Sequence, residues 1–371
     1  MADGYPRSSE RSDTDRKPLH QRGRVIAAAG VAMFALFVLV AVLRVQSIEK
    51  VVEDIGNLPA RVASRIGPAG QGEMLAPAGP QLQAIRGLGE RLSGRLVWSS
   101  NRDGNHEIYL INVATLEEQR LTDNPHVDFF ARFSPDGRRI VFLRSRPEYT
   151  SVREALSWDV WLMNADGSDQ RRLAERGFYP RWTADGSSIV FGRGQQVVRV
   201  DAESGEESVV FDNPGDAAQI RFGDVALGAD GNRLALVLEG GAGVIRDLEA
   251  GTTTQLVGEY VCQPTFAPRD AFVAYIEAVG HGGTRVMRAR PDGRRPEVLM
   301  DLPGDYSHEY FPQLSNGGEW LIWGAAAEGH EHDRADYEIF VWKLGEPWEG
   351  AVRVTYYTGN DMWPDLFVEP R

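Results

Sequence analysis

The chain has 371 residues, 42% hydrophobic and 9% aromatic, with a formal net charge of −13. Residues 1–24 and 44–92 carry balances of +2 and +1, which leaves −16 on residues 93–371. A domain that acidic repels nucleic acid, and a single cysteine, Cys262, excludes an intramolecular disulfide.

Residues 1–24 form a polar tail ending in Arg22 and Arg24. Val25 to Leu43 is a run of 19 residues, all apolar or Gly. That is the length needed to cross a bilayer core of about 30 Å as a helix. A secretory signal has an apolar core of about 7–15 residues with a small-residue cleavage site close behind. Here Arg44-Val45-Gln46-Ser47 follows, without an A-x-A pattern. Residues 25–43 are therefore expected to be an uncleaved, single-pass transmembrane helix. Arg7, Arg11, Arg16, Lys17, Arg22 and Arg24 precede it, which places the N-terminus in the cytoplasm and the rest of the chain outside. The expected location is a bacterial inner membrane, with the larger domain in the periplasm or outside the cell.

Residues 44–92 change character twice. Val45, Ile48, Val52 and Ile55 follow a 3-4-3 spacing. That spacing suits either a weak homodimer seam over residues 45–55 or one greasy face of a helix leaving the membrane. From Gly67 to Pro80 the chain is rich in Gly, Pro and Ala and reads as a flexible tether. Gln81 to Leu92 has the length for one short helix.

Residues 93–371 are built on a repeat. Ser134-Pro135-Asp136-Gly137 separates the apolar stretches Phe129–Phe133 and Ile140–Leu143. The same frame returns at Thr183-Ala184-Asp185-Gly186, Gly228-Ala229-Asp230-Gly231, Ala267-Pro268-Arg269-Asp270 and Ser315-Asn316-Gly317-Gly318, at steps of 49, 45, 39 and 48 residues. A period in the forties made of strand, Asp-Gly-type turn and strand marks propeller blades. Asp, Asn and Gly accept the backbone angles of a tight reversal. An aromatic residue, often followed by Pro, precedes the turn: Tyr179-Pro180, Phe311-Pro312 and Trp363-Pro364.

Four short strands per repeat, a to d from the axis outward, make six blades. The first repeat begins on a b strand, Arg95-Leu96-Val97-Trp98, and the last ends on an a strand, Trp363 to Phe367. The fold expected is an all-β, six-bladed propeller in which the last strand completes the first blade, so that neither sheet edge is exposed. Cys262 falls in an a strand and reads as a small buried hydrophobe.

The stretch Ser99-Ser100-Asn101-Arg102-Asp103-Gly104-Asn105-His106-Glu107-Ile108-Tyr109, continuing through Arg120-Leu121-Thr122-Asp123-Asn124 to Phe133-Ser134-Pro135-Asp136-Gly137, resembles the TolB-type propellers with WD40-like (PD40) repeats. The resemblance covers roughly three quarters of the chain and is best in blades one, two and six. TolB also carries an α/β domain ahead of its propeller. Residues 44–92 are too short and too rich in Pro and Gly to supply one.

In an antiparallel blade the a–b and c–d turns share one face, and the b–c loops and d–a crossovers share the other. By this assignment His106, His126, His281, His308, His330 and His332 all lie on the second face. Loops on a rigid scaffold usually carry function. The candidate binding face is therefore marked by His106, His126, His281, His308, Glu309, Asn360 and Asp361. Blade six is its densest part. His308, His330, His332, Asp333 and Asp336 offer nitrogen and oxygen donors suited to a divalent metal, though the spacing matches no strong metal motif. The alternative is a solvated polar loop. Nucleophile-elbow, P-loop and dinucleotide motifs are missing from the sequence. Two functions follow as expectations. One is a membrane-tethered module that binds an envelope protein or peptide and not nucleic acid. The other is a metal-dependent enzyme acting on an envelope polysaccharide through the blade-six loops.

Overall fold

The computed structural model describes residues 72–213, 220–258, 260–279, 283–327, 329 and 331–370. The tail, the apolar run 25–43, the 45–55 seam, His281 and His330 lie outside the described residues. Among the described residues no helix is long and apolar enough to cross a membrane.

Twenty-four strands form six four-stranded antiparallel sheets. The first strands are β1 (Gly94–Ser100), β2 (Glu107–Asn112) and β3 (Glu118–Arg120). Blade two holds β4 (Asp128–Phe133), β5 (Arg139–Ser145), β6 (Trp158–Asn164) and β7 (Arg171–Ala174). Blade three holds β8 (Phe178–Trp182), β9 (Ser188–Arg193), β10 (Gln196–Asp201) and β11 (Glu207–Asp212). Blade four holds β12 (Ile220–Leu227), β13 (Arg233–Leu238), β14 (Gly243–Asp247) and β15 (Thr253–Gln255). Blade five holds β16 (Val261–Phe266), β17 (Val273–Val279), β18 (Gly283–Ala289) and β19 (Glu297–Met300). Blade six holds β20 (His308–Leu314), β21 (Trp320–Ala326), β22 (Tyr337–Lys343) and β23 (Val352–Arg353).

The last strand, β24 (Asp361–Val368), pairs with β1, in the order β24-β1-β2-β3. Its register runs from Gly94 opposite Val368 to Ser100 opposite Asp361. The split first blade expected from the sequence is thus present. Pairing the two ends of the domain in one sheet removes two open edges.

Each innermost strand carries a register shift at the same place, for example between Phe129 and Arg132 in β4 and between Tyr310 and Gln313 in β20. At this bulge Phe130, Tyr179, Gln263, Phe311 and Trp363 adopt a positive φ of 53° to 61°. An extra residue in one strand bends it and re-aims the side chain. Pro suits the next position because the bulge takes that residue out of the ladder, where its missing N–H does no harm. This explains the aromatic–Pro pairs of blades three, six and one. The re-aimed rings meet at the axis. Trp363 lies 3.6 Å from Phe130 and 4.0 Å from Phe311 between centroids, and Phe130 lies 4.6 Å from Tyr179. With Asp224 and Gln263 from blades four and five, these side chains form a buried tier across the axis.

A single described helix precedes the blades, α1 (Gly79–Arg91). Pro80 occupies its first turn, and the Gln81 side chain accepts a hydrogen bond from the Ala78 N–H at 2.7 Å. Leu88 and the following Leu92 bury against Leu96, Trp98, Tyr109, Trp320 and Ile322, which span blades one and six. Just before the helix, Met74 bridges to Tyr357 and the Leu75 N–H donates to the Tyr356 carbonyl at 2.7 Å. The described chain therefore begins on the loop face, beside the crossover from blade six to blade one.

Candidate functional site

The loop face is built from a repeated polar unit. In blade one, Glu107 begins the c strand, Arg120 ends the d strand and the Thr122 hydroxyl oxygen accepts the Ile108 N–H at 2.9 Å. Arg120 reaches Glu107 at 3.3 Å. In blade six Glu338, Arg353 and Thr355 repeat the arrangement, with the Ile339 N–H on Thr355 at 2.9 Å and Arg353 bonded to Glu338. The neighbouring innermost strand adds Asp128 beside Glu107 and Asp361 beside Glu338. Burial, reinforced by that second carboxylate, raises Glu107 to about 7 and Glu338 to about 9. These buried acids occur as a repeat, which marks them as a means of fastening crossovers to blades.

The candidate residues sit within this framework. Asp361 is fully buried and lies 3.3 Å from the Arg102 guanidinium. Asn360 donates from Nδ2 to the His332 carbonyl at 2.8 Å. Glu309 is buried, accepts the Leu302 N–H at 2.7 Å and is raised to about 8 by burial. His106 packs edge-on against Phe129 at 4.6 Å, and burial lowers it to about 3, so its ring is neutral. His126 lies in the crossover from blade one to blade two, and His308 opens β20.

In the blade-six loop the Asp333 carboxylate is already engaged. Asp333 accepts the Ser151 hydroxyl at 2.5 Å and the Val152 N–H at 3.1 Å. Both belong to the b–c loop of blade two, and Arg153 meets Glu331 at 3.1 Å beside them. Val152 and Ala335 bury into the core under this junction. The two loops thus join over blade one. The His332 ring stands among Tyr310 at 4.7 Å, Phe311 at 5.1 Å and Trp363 at 6.0 Å. Asp336 is exposed. Among the described residues no group of three or more His, Cys, Asp or Glu is placed to share a metal ion. Cys262 is buried in β16, as expected of a small hydrophobe.

Exposed apolar side chains are distributed unevenly. Of the seven large hydrophobic residues exposed among the described residues, Met74, Leu75, Tyr149, Leu156, Val257 and Tyr260 lie on the loop face, and Val209 alone lies on an outer strand. The aromatics Tyr356, Tyr357 and Trp363 are buried instead.

The hairpin face has a different feature. Beyond the aromatic tier the axis opens into a cavity of about 480 Å³. The adjoining tier contains Arg132, Arg181, Ala226, Thr265, Gln313 and Asp365, one from each blade. Arg132 donates from Nη1 to the carbonyls of Ala131, Trp363 and Pro364 at 2.7–3.2 Å. Arg181 donates to Gln313 at 2.9 Å and Thr265 at 3.2 Å.

No family model matches the chain, and no curated protein matches it. Among solved structures, TolB from Acinetobacter baumannii aligns with a TM-score of 0.53 at 13% identity, covering 74% of this chain and 67% of that one. A protein assigned as TolB from Agrobacterium tumefaciens gives 0.53 at 14%, covering 75% of this chain and 100% of that one. The chain carries a TolB-type six-bladed propeller. An oligogalacturonate lyase in complex with manganese is more distant, at a TM-score of 0.43 and 17% identity over 71% of this chain and 74% of that one, and carries no argument about chemistry.

In this TolB-type propeller the axial polar tier is what sequence reasoning missed. Its signal was a polar residue two places before the turn: Arg132 before Ser134, Arg181 before Thr183, Gln313 before Ser315.

Proposed function

We propose that this TolB-type propeller is a binding module of the cell envelope, tethered through residues 25–43 and docking a protein or peptide on its loop face. The observation that carries this reading is that six of the seven large exposed apolar side chains among the described residues lie on that face, where the loops of blades two and six are tied together by Arg153–Glu331 and Ser151–Asp333. Apolar side chains at a polar rim suit protein association. The 19-residue apolar run and the basic residues before it support the tether and its orientation. The acidic balance argues against nucleic acid as the partner.

The second reading is metal-dependent chemistry at the blade-six loops, with His308, His330, His332, Asp333 and Asp336 as ligands. The engaged carboxylate of Asp333 weighs against it. Metal analysis and melting with and without a chelator separate the two. A binding module of this kind carries less than stoichiometric zinc or manganese, and its melting temperature is unchanged by chelation. Near-stoichiometric metal, with a chelator-induced fall in melting temperature that His332→Ala abolishes, establishes the metal site instead.

A further inference from the structure

We propose that the axial cavity on the hairpin face binds a carboxylate, received by the free Nε–Nη2 edge of Arg132. The Arg132 side chain is only 5% exposed, and it sits in the wall of the cavity. Its Nη1 is held by three backbone carbonyls, which fixes the plane of the guanidinium. Nε and Nη2 make no hydrogen bond among the described residues, and neither is enclosed by protein. Two parallel N–H groups on one edge match the two oxygens of a carboxylate, a match that Lys cannot reproduce.

Charge supports the same reading. Neither Arg132 nor Arg181 forms an ion pair with a described carboxylate, although most of the structured arginines elsewhere do, such as Arg102, Arg120 and Arg144. Asp365 acts on Arg132 electrostatically without pairing with it and spends an oxygen on the Phe133 N–H at 2.8 Å, and Asp224 and Asp365 act in the same way on Arg181. Burial lowers the pKa of both guanidiniums, Arg132 to about 9. A buried cation with no directly paired counter-ion is costly, and a bound carboxylate would supply that pair. The cavity lining carries three arginines, Arg132, Arg181 and Arg269, against Asp270 and Asp365, in a domain that is otherwise strongly acidic. Its volume of about 480 Å³ holds more than an ion, so the ligand is a small polycarboxylate or the acidic end of a short peptide. This site lies on the opposite face from the proposed docking loops and does not depend on them.

The test uses the full chain and four probes: citrate, a short peptide of aspartate and glycine, the same peptide with every carboxyl amidated, and inorganic phosphate. Calorimetric titration and melting are expected to detect citrate or the acidic peptide and not the amidated one. Whichever of the two binds more tightly identifies the source of the carboxylate, and either supports the site. Arg132→Lys is expected to weaken binding at least tenfold while the chain still melts cooperatively, and Arg132→Gln to remove it. Trp182 lines the cavity and donates from Nε1 to the Arg132 carbonyl at 3.1 Å, so binding should alter a fluorescence signal that Trp182→Phe removes. Equal binding of the amidated peptide, phosphate binding as tight as that of the carboxylates, or undiminished binding by Arg132→Lys would overturn the proposal.

Discussion

Deleting residues 361–371 is expected to abolish cooperative folding of the whole propeller, rather than trim a tail. The deletion removes β24, the innermost strand of blade one, and leaves β1 with an unpaired edge. It also removes Met362, Trp363, Leu366 and Phe367, all buried. Trp363 alone stands at the centre of the aromatic tier that joins blades one, two, three and six. Truncating one buried Trp or Phe costs about 3–5 kcal/mol. Losing the strand therefore exceeds the roughly 5–15 kcal/mol that holds a typical domain folded. Circular dichroism melting of the truncated chain is expected to show no cooperative transition. A transition near the wild-type temperature would mean that blade one closes without its last strand.

Replacing Arg102 by Ala is expected to destabilise the propeller by about 3–5 kcal/mol, the usual result of stranding a buried charge. Arg102 joins the b–c loop of blade one to the closing strand. It reaches the fully buried Asp361 at 3.3 Å and Glu118 at 2.7 Å, and lies over the Tyr109 ring at 4.7 Å. Burial already raises the pKa of Asp361, and Arg102 opposes that shift. A carboxyl whose folded pKa lies above its unfolded value favours the folded state most at low pH, and that contribution is lost as pH rises through the folded value. Without Arg102 the folded value climbs further. The loss in Arg102→Ala should therefore be smaller at pH 5 than at pH 8. Arg102→Ala/Asp361→Asn should recover much of the pH 8 loss. Denaturant melts at the two pH values check this. A loss independent of pH and not relieved by Asp361→Asn would assign the role of Arg102 to packing alone.

Both effects arise at the seam, which was legible from the sequence because turns repeat locally. A hairpin of Ser134-Pro135-Asp136-Gly137 declares itself within ten residues, and the unmatched strands at the two ends then imply their own pairing. The aromatic–Pro frame was also visible, but its meaning was not. A bulge adds one residue to a strand, and that changes which side chains face the axis without changing the composition of the strand. Arg132 and Arg181 therefore read as ordinary strand residues beside the turn. The blade-six loop shows the opposite problem. Its His and Asp residues look like available donors, because the partners of Asp333, Ser151 and Val152, come from blade two, about 180 residues away. Composition identifies donors. Only the fold shows which of them are already engaged.

The central claim, that the loop face docks an envelope partner, is tested most directly by site-specific photo-crosslinking in cells. A crosslinking residue is placed in turn at Tyr149, Leu156 and Tyr260 on the loop face, and at Thr115, Asp166 and Glu249 in the c–d turns of the opposite face. The predicted result is a discrete adduct with an envelope protein from the loop-face positions and none from the c–d turns. Adducts from the c–d turns alone, or adducts only with cytoplasmic proteins, would contradict it.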